Sequence, residues 1–142
     1  MPHAITGFSN PRLKAARALR DKKGRRETGL FLAEGLRILV EALDAGHAPV
    51  ELWRTAESAA HPLVARLEAA ADETLVTSAD LLGKLTGKDN PGSVVGVFRE
   101  FATPLETLDR GRADLWLVAQ AMRDPAISAR CCAPAMRSAR AG

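Results

Sequence analysis

The residues best suited to chemistry crowd the start of the chain. Arg12, Lys14, Arg17, Arg20, Lys22, Lys23, Arg25 and Arg26 stand together against a single acid, Asp21. Their spacing leaves several positive groups on one helical face and more in the turn that follows. Such an arrangement can neutralise several phosphates of RNA or DNA, with an affinity that falls as salt rises. The same run also fits a solvated helix face that only keeps the protein soluble. A second candidate is the loop Lys88-Asp89-Asn90-Pro91-Gly92, between a helix end and a strand. Its polar groups suit a contact loop, although an ordinary tight turn has the same composition. A third is Glu34-Gly35. There the carboxylate would stabilise the dipole of the next helix, and the glycine would permit a tight bend.

Other reactive types offer nothing at working distance. His3, His47 and His61 are scattered and have no partner at catalytic or ligand spacing. Cys131 and Cys132 are adjacent, so they cannot staple distant segments, and no histidine–cysteine spacing suggests zinc. No nucleophile motif or phosphate-binding glycine loop is present. No catalytic residue and no metal ligand is assigned.

Charge is strongly polarised along the chain. The formal net charge is +3 over 142 residues. Yet residues 1–26 carry the eight basic groups above, and residues 27–125 carry nine basic against sixteen acidic. Residues 126–142 add Arg130, Arg137 and Arg140 and no acid. This asymmetry points to phosphate-bearing partners at the N-terminal end. No apolar run reaches membrane-spanning length and no signal pattern opens the chain, so a cytoplasmic address and no membrane partner are expected.

The elements that must position these residues follow from period and punctuation. Asn10-Pro11 predicts a helix start, with Leu13, Ala16 and Leu19 inward and Gly24 as the stop. Leu30–Ala33 predicts a short buried strand. Leu36, Leu39, Val40 and Leu43 predict a second helix that stops at Gly46. Val50–Trp53, Thr74–Val76 and Val94–Phe98 predict further strands. A third helix opens at His61-Pro62 with Leu63, Val64 and Leu67 inward. A fourth is capped by Ser78 and closed by Gly87, with Leu81, Leu82 and Leu85 inward. Alternating strands and helices predict a three-layer α/β domain over residues 1–99 with a mostly parallel sheet. Residues 100–113 are expected to be a linker. Leu115–Ala119 is expected to be a lone apolar strand without neighbours.

Three words, in order and spacing, resemble one family. They are Ser9-Asn10-Pro11-Arg12-Leu13-Lys14, Phe31-Leu32-Ala33-Glu34-Gly35-Leu36-Arg37 and Gly87-Lys88-Asp89-Asn90-Pro91. Together they resemble the N-terminal substrate-binding domain of the SpoU/TrmH-type RNA 2′-O-ribose methyltransferases. The resemblance implies that RNA, either rRNA or tRNA, lies along Arg12–Arg26, Glu34, Gly35, Arg37 and Lys88–Asn90. Residues 114–125 resemble the family's entry into its second domain, a knotted α/β fold that binds S-adenosylmethionine and usually dimerises. Only its first strand would be present here. One departure is Pro91-Gly92-Ser93, where many relatives have Pro-Gln-Gly, so any glutamine-mediated contact is in doubt.

After Asp124-Pro125 the family continues with a segment containing Asn, Gly and an Arg-Thr pair, of which the Asn and Arg help place the ribose hydroxyl for methyl transfer. Ala126–Gly142 has none of it. Codons allowed for Ala126–Cys132, with one G restored, spell Gly-Asn-Leu-Gly-Thr-Met-Leu. Cys131-Cys132 forces Leu in that frame whatever codons are used. Continuing through Ala133–Gly142 allows Arg-Thr-Gly-Asp-Ala-Val-Gly-Ala-Gly. The expectation is an out-of-frame, disordered tail. The chain is expected to bind RNA, hold no cofactor, lack methyl transfer alone and lack the family's dimer-forming domain. The alternatives are a non-functional fragment, a genuine divergent tail, and a chain active as it stands.

Overall fold

A computed structural model of the chain describes residues 2–101, with Glu106, Asp109 and Gly111. The chain divides into two units, Met1–Ala102 and Thr103–Gly142. The expected strand Leu115–Ala119, the segment 126–142 and most of the expected linker lie outside the described residues.

In the first unit, strand β1 (His3–Ala4) leads to helices α1 (Pro11–Ala18) and α2 (Lys22–Thr28). Strand β2 (Leu30–Glu34), helix α3 (Leu36–Asp44) and strand β3 (Glu51–Arg54) follow. Helix α4 (Pro62–Ala70), strand β4 (Glu73–Val76), helix α5 (Ala79–Thr86) and strand β5 (Val94–Arg99) complete it. Among the described residues, no helix is long and apolar enough to cross a membrane.

The five strands form one sheet in the order β1-β4-β3-β5-β2. The pairs β1/β4 and β3/β4 are parallel, whereas β3/β5 and β5/β2 are antiparallel. The α/β layering is as expected, but the sheet is mixed rather than mostly parallel. Alternation of strands and helices sets the order of elements, not the direction in which each strand enters. The continuous apolar run of β5 reflects a central strand covered on both faces, which either direction allows.

Side chains alternate across the sheet and build two cores. One holds Leu13, Leu19, Trp53, Leu75, Leu85 and Val95 beneath α1 and α5. The other holds Leu39, Leu52, Val64, Leu67, Val94 and Phe98 beneath α3 and α4. Ser78 caps α5 by accepting from the Leu81 N–H at 3.3 Å. Leu63 differs from the expectation: it is 37% exposed, because the buried stripe of α4 is Val64 and Leu67.

Gly24 is also not a helix stop. The chain leaves α1 after Ala18 and Gly24 lies inside α2. A Cβ at Gly24 would fall 2.1 Å from the Ala18 carbonyl oxygen. This glycine therefore lets two short helices meet closely at a sharp corner.

Candidate nucleic-acid interface

Asn10 fixes the register of the basic helix. Its side chain accepts from the Arg12 N–H at 2.9 Å, and Pro11 occupies the first turn. Leu13, Ala16 and Leu19 then point inward and are at most 4% exposed. Lys14, Arg17 and Arg20 recur every three residues on the outer side. With Ala18 and Asp21 they line a shallow open recess.

Arg17 and Arg20 also wall a larger groove shared with α5 and the loop after it. Phe8, Lys84, Lys88 and Asn90 line that groove, and two acids, Asp80 and Asp89, lie in it. Gly87 closes α5 with φ of 74°, a conformation that favours glycine. A Cβ there would collide with the Arg20 guanidinium, 2.1 Å from Nη2. The missing side chain is what lets Arg20 reach across to the α5 loop.

Glu34 acts differently from the expectation. At the end of β2 its carboxylate turns to the loop rather than to the start of α3. Oε1 accepts from the Gly92 N–H at 2.8 Å, and Oε2 lies 2.6 Å from Lys88 Nζ. Burial raises its pKa, but the Gly92 N–H and the Lys88 ammonium outweigh it and hold the carboxyl below its ordinary value. Glu34 therefore clamps both ends of the Lys88–Gly92 loop to the sheet. Gly35, with φ of 107°, turns the chain from this clamp into α3.

The remaining predicted residues are dispersed. Arg12 makes a bidentate pair with Glu73, which raises the arginine's pKa and lowers the glutamate's through their shared hydrogen bond. Arg25 folds back, with Nη1 donating to the carbonyls of Leu19 at 3.0 Å and Arg20 at 2.8 Å. It satisfies carbonyls left free where α1 ends. Lys22, Lys23 and Arg26 form a separate patch on α2, where Lys23 lies 3.9 Å from Glu27. Arg37 stands on α3, over the other core, and donates to Glu41 at 3.1 Å. Among the described residues, no group of three or more His, Cys, Asp or Glu could hold a metal ion.

Comparison with known proteins bears on this arrangement. The model for the MRM3-like substrate binding domain matches residues 10–96. The chain belongs to this family. It is thereby homologous to the SpoU/TrmH-type RNA methyltransferases. An rRNA methyltransferase from Sinorhizobium meliloti is 33% identical over 74% of this chain and 39% of its own, with a TM-score of 0.64. The same enzyme has also been solved with AdoMet bound. An RNA 2′-O ribose methyltransferase is 31% identical over 86% of this chain and 47% of its own, with a TM-score of 0.66. The SpoU methyltransferase AviRb from Streptomyces viridochromogenes shares the fold at 24% identity and a TM-score of 0.54. The chain thus spans less than half the length of each of these solved relatives. No curated protein matches it.

For this SpoU/TrmH-type domain, the groove joins Arg17 and Arg20 of the basic run to one sequence word, Gly87–Pro91, and is clamped by Glu34 of another. Lys84 and Phe8 belong to no word and were missed by the sequence reading. Lys84 was traceable, because it stands one helical turn before Lys88. Phe8 carried a weaker signal, an aromatic residue outside any amphipathic pattern and just upstream of the α1 cap.

Proposed function

We propose that this chain binds RNA, either rRNA or tRNA, as the substrate-recognition part of an S-adenosylmethionine-dependent 2′-O-ribose methyltransferase. One observation carries the reading. Arg17, Arg20 and Lys84 converge on one groove and have no ion-pair partner among the described residues. Lys14 and Asn90 extend it, Lys88 lines it while paired with Glu34, and Lys22, Lys23 and Arg26 offer a second phosphate track on α2. Glu34 and Gly35 act by shaping the loop, and Asp89 shares the groove without attracting phosphate. Arg12, Arg25 and Arg37 contribute little, because each is already engaged within the protein.

Filter binding of a structured RNA over a salt series tests this. Affinity should fall steeply with salt, and each phosphate contact removed should lower the slope by about one. If the variant Arg17→Glu/Arg20→Glu/Lys22→Glu binds as tightly as the parent, the assignment fails.

The cationic groove is a poor seat for S-adenosylmethionine, whose sulfonium it would repel. S-adenosylmethionine is therefore not expected in this groove, and this chain alone should not transfer methyl groups. Measurable binding of S-adenosylmethionine by calorimetry would overturn that.

A second reading rests on residues 126–142. Their small residues, three arginines and forced leucine in the alternative frame favour a reading frame lost after Pro125. The chain would then be a fragment of a methyltransferase gene. Sequencing the locus should show a G run one base short of the methyltransferase frame. An intact frame there removes this reading.

A further inference from the structure

We propose that Phe8 is a stacking platform for an unpaired nucleobase of the RNA, so that this groove selects single-stranded over duplex RNA. The inference rests on the RNA-binding reading above and adds a specificity residue to it.

Four large apolar side chains are exposed among the described residues: Phe8, Ile38, Leu63 and Phe101. Phe101 stacks on His47 with ring centroids 5.2 Å apart. Ile38 and Leu63 lie on α3 and α4, the layer whose arginines are engaged by acids. Phe8 alone of the four lines the cationic groove, and it is 57% exposed.

Its presentation is built into the backbone. The Asn10 N–H donates to the Gly7 carbonyl at 3.2 Å, closing a turn over Gly7-Phe8-Ser9-Asn10. Asn10 is at the same time the cap of α1. The turn that holds Phe8 outward is thus tied to the helix that carries Arg17 and Arg20.

The surroundings specify the occupant. A phenyl ring beside guanidinium and ammonium groups matches a nucleotide, which has a flat apolar base and an anionic phosphate. Asn90, in the same groove, carries an amide with donors and an acceptor for a base edge. A paired base in an A-form helix keeps its face inside the stack, where a ring on the protein surface cannot reach it. An unpaired base offers that face. Asp80 and Asp89 lower the net positive charge of the groove, which reduces indiscriminate duplex binding and leaves more weight on stacking.

The test compares an unstructured oligouridine and a blunt RNA duplex of equal length, titrated against the parent chain, Phe8→Ala, Phe8→Leu and Phe8→Trp. The parent should prefer the single strand. Phe8→Ala and Phe8→Leu should each lose roughly ten-fold on the single strand and little on the duplex, with the salt slope unchanged. Phe8→Trp should retain or improve single-strand binding. The inference is overturned if Phe8→Leu matches the parent, or if both RNAs weaken equally in Phe8→Ala. A parent that binds the two RNAs alike also overturns it, while leaving RNA binding itself intact. A parent that binds neither overturns both readings.

Discussion

The two helical layers differ in how many of their cations they leave unpaired, although Arg12 on α1 is itself engaged by Glu73. Over the α3/α4 core, Arg37 meets Glu41, Arg66 meets Asp44, and Arg54 meets Glu68 at 2.7 Å. The last pair is largely buried, and Arg54 also donates to the Thr55 carbonyl at 3.0 Å. Over the α1/α5 core, Lys14, Arg17, Arg20 and Lys84 find no ion-pair partner among the described residues. Both layers carry cations, but only one presents them to a partner. An arginine already satisfied by carboxylate has less to gain from phosphate, so placement decides function more than number.

That contrast can be broken by moving charge. Reversing Arg17 and Arg20 together should weaken RNA binding about a hundred-fold or more near 0.1 M salt and flatten the salt dependence. Arg37→Glu/Arg66→Glu should change affinity less than about two-fold, because those cations are already engaged. Filter binding of the parent and the two double variants side by side checks this. Equal losses on the two layers would end the comparison.

A packing change should come next in size. Gly24→Ala forces a Cβ against the Ala18 carbonyl, so α2 must move off α1. We expect a loss of about 1 to 3 kcal/mol in urea unfolding, as for other overpacked sites. RNA affinity should fall with it, because the α2 patch shifts relative to Arg17 and Arg20. A fully stable Gly24→Ala would mean that the corner between the helices has room the geometry denies.

The Glu34 clamp sharpens the comparison further, since it is an acid that serves the binding layer. Glu34→Ala leaves the Gly92 N–H without its acceptor and should cost roughly 1 to 2 kcal/mol. Chemical-shift changes should concentrate in Lys88–Gly92. The pH dependence follows from the depressed pKa of Glu34. The clamp's stabilisation is fully present above the ordinary glutamate range and is lost as pH falls through the lower folded value. Loop amide shifts of the parent should therefore hold through mild acid and move only below that range. An unshifted Glu34 titration would remove the clamp from the account.

The smallest effect is expected at Arg12. Its pair with Glu73 is partly exposed, so Arg12→Met should cost less than about 1 kcal/mol in thermal or urea unfolding. RNA affinity should barely change, despite the position of Arg12 in the same basic run as Arg17. A large affinity loss would show that Arg12 exchanges Glu73 for phosphate on binding.

Much of this was legible along the chain because local physics controls it. Asn10-Pro11, Ser78 and Gly87 act on neighbouring backbone, so the starts of α1 and α5 and the end of α5 could be read directly. The inward faces of α1 and α5 followed from spacing alone. β1 was missed because two residues, His3 and Ala4, carry no period of their own. Gly24 was misread because a stop and a close contact both call for glycine. Only the contact with Ala18 tells them apart.

The sequence by itself determined the α/β alternation, the basic segment, the loop that answers it and the family words linking them. It did so because caps, periodicity and local charge are short-range properties. Tertiary structure decided which cations remain available. It took Arg12 to Glu73, turned Arg25 onto backbone carbonyls, and left Arg17 and Arg20 facing Lys84. It also brought Glu34 to Gly92, 58 positions away, and set Phe8 beside the α5 loop. Apart from the local Arg25 contacts, these partners are distant in the chain, and only folding around the two cores brings them within reach.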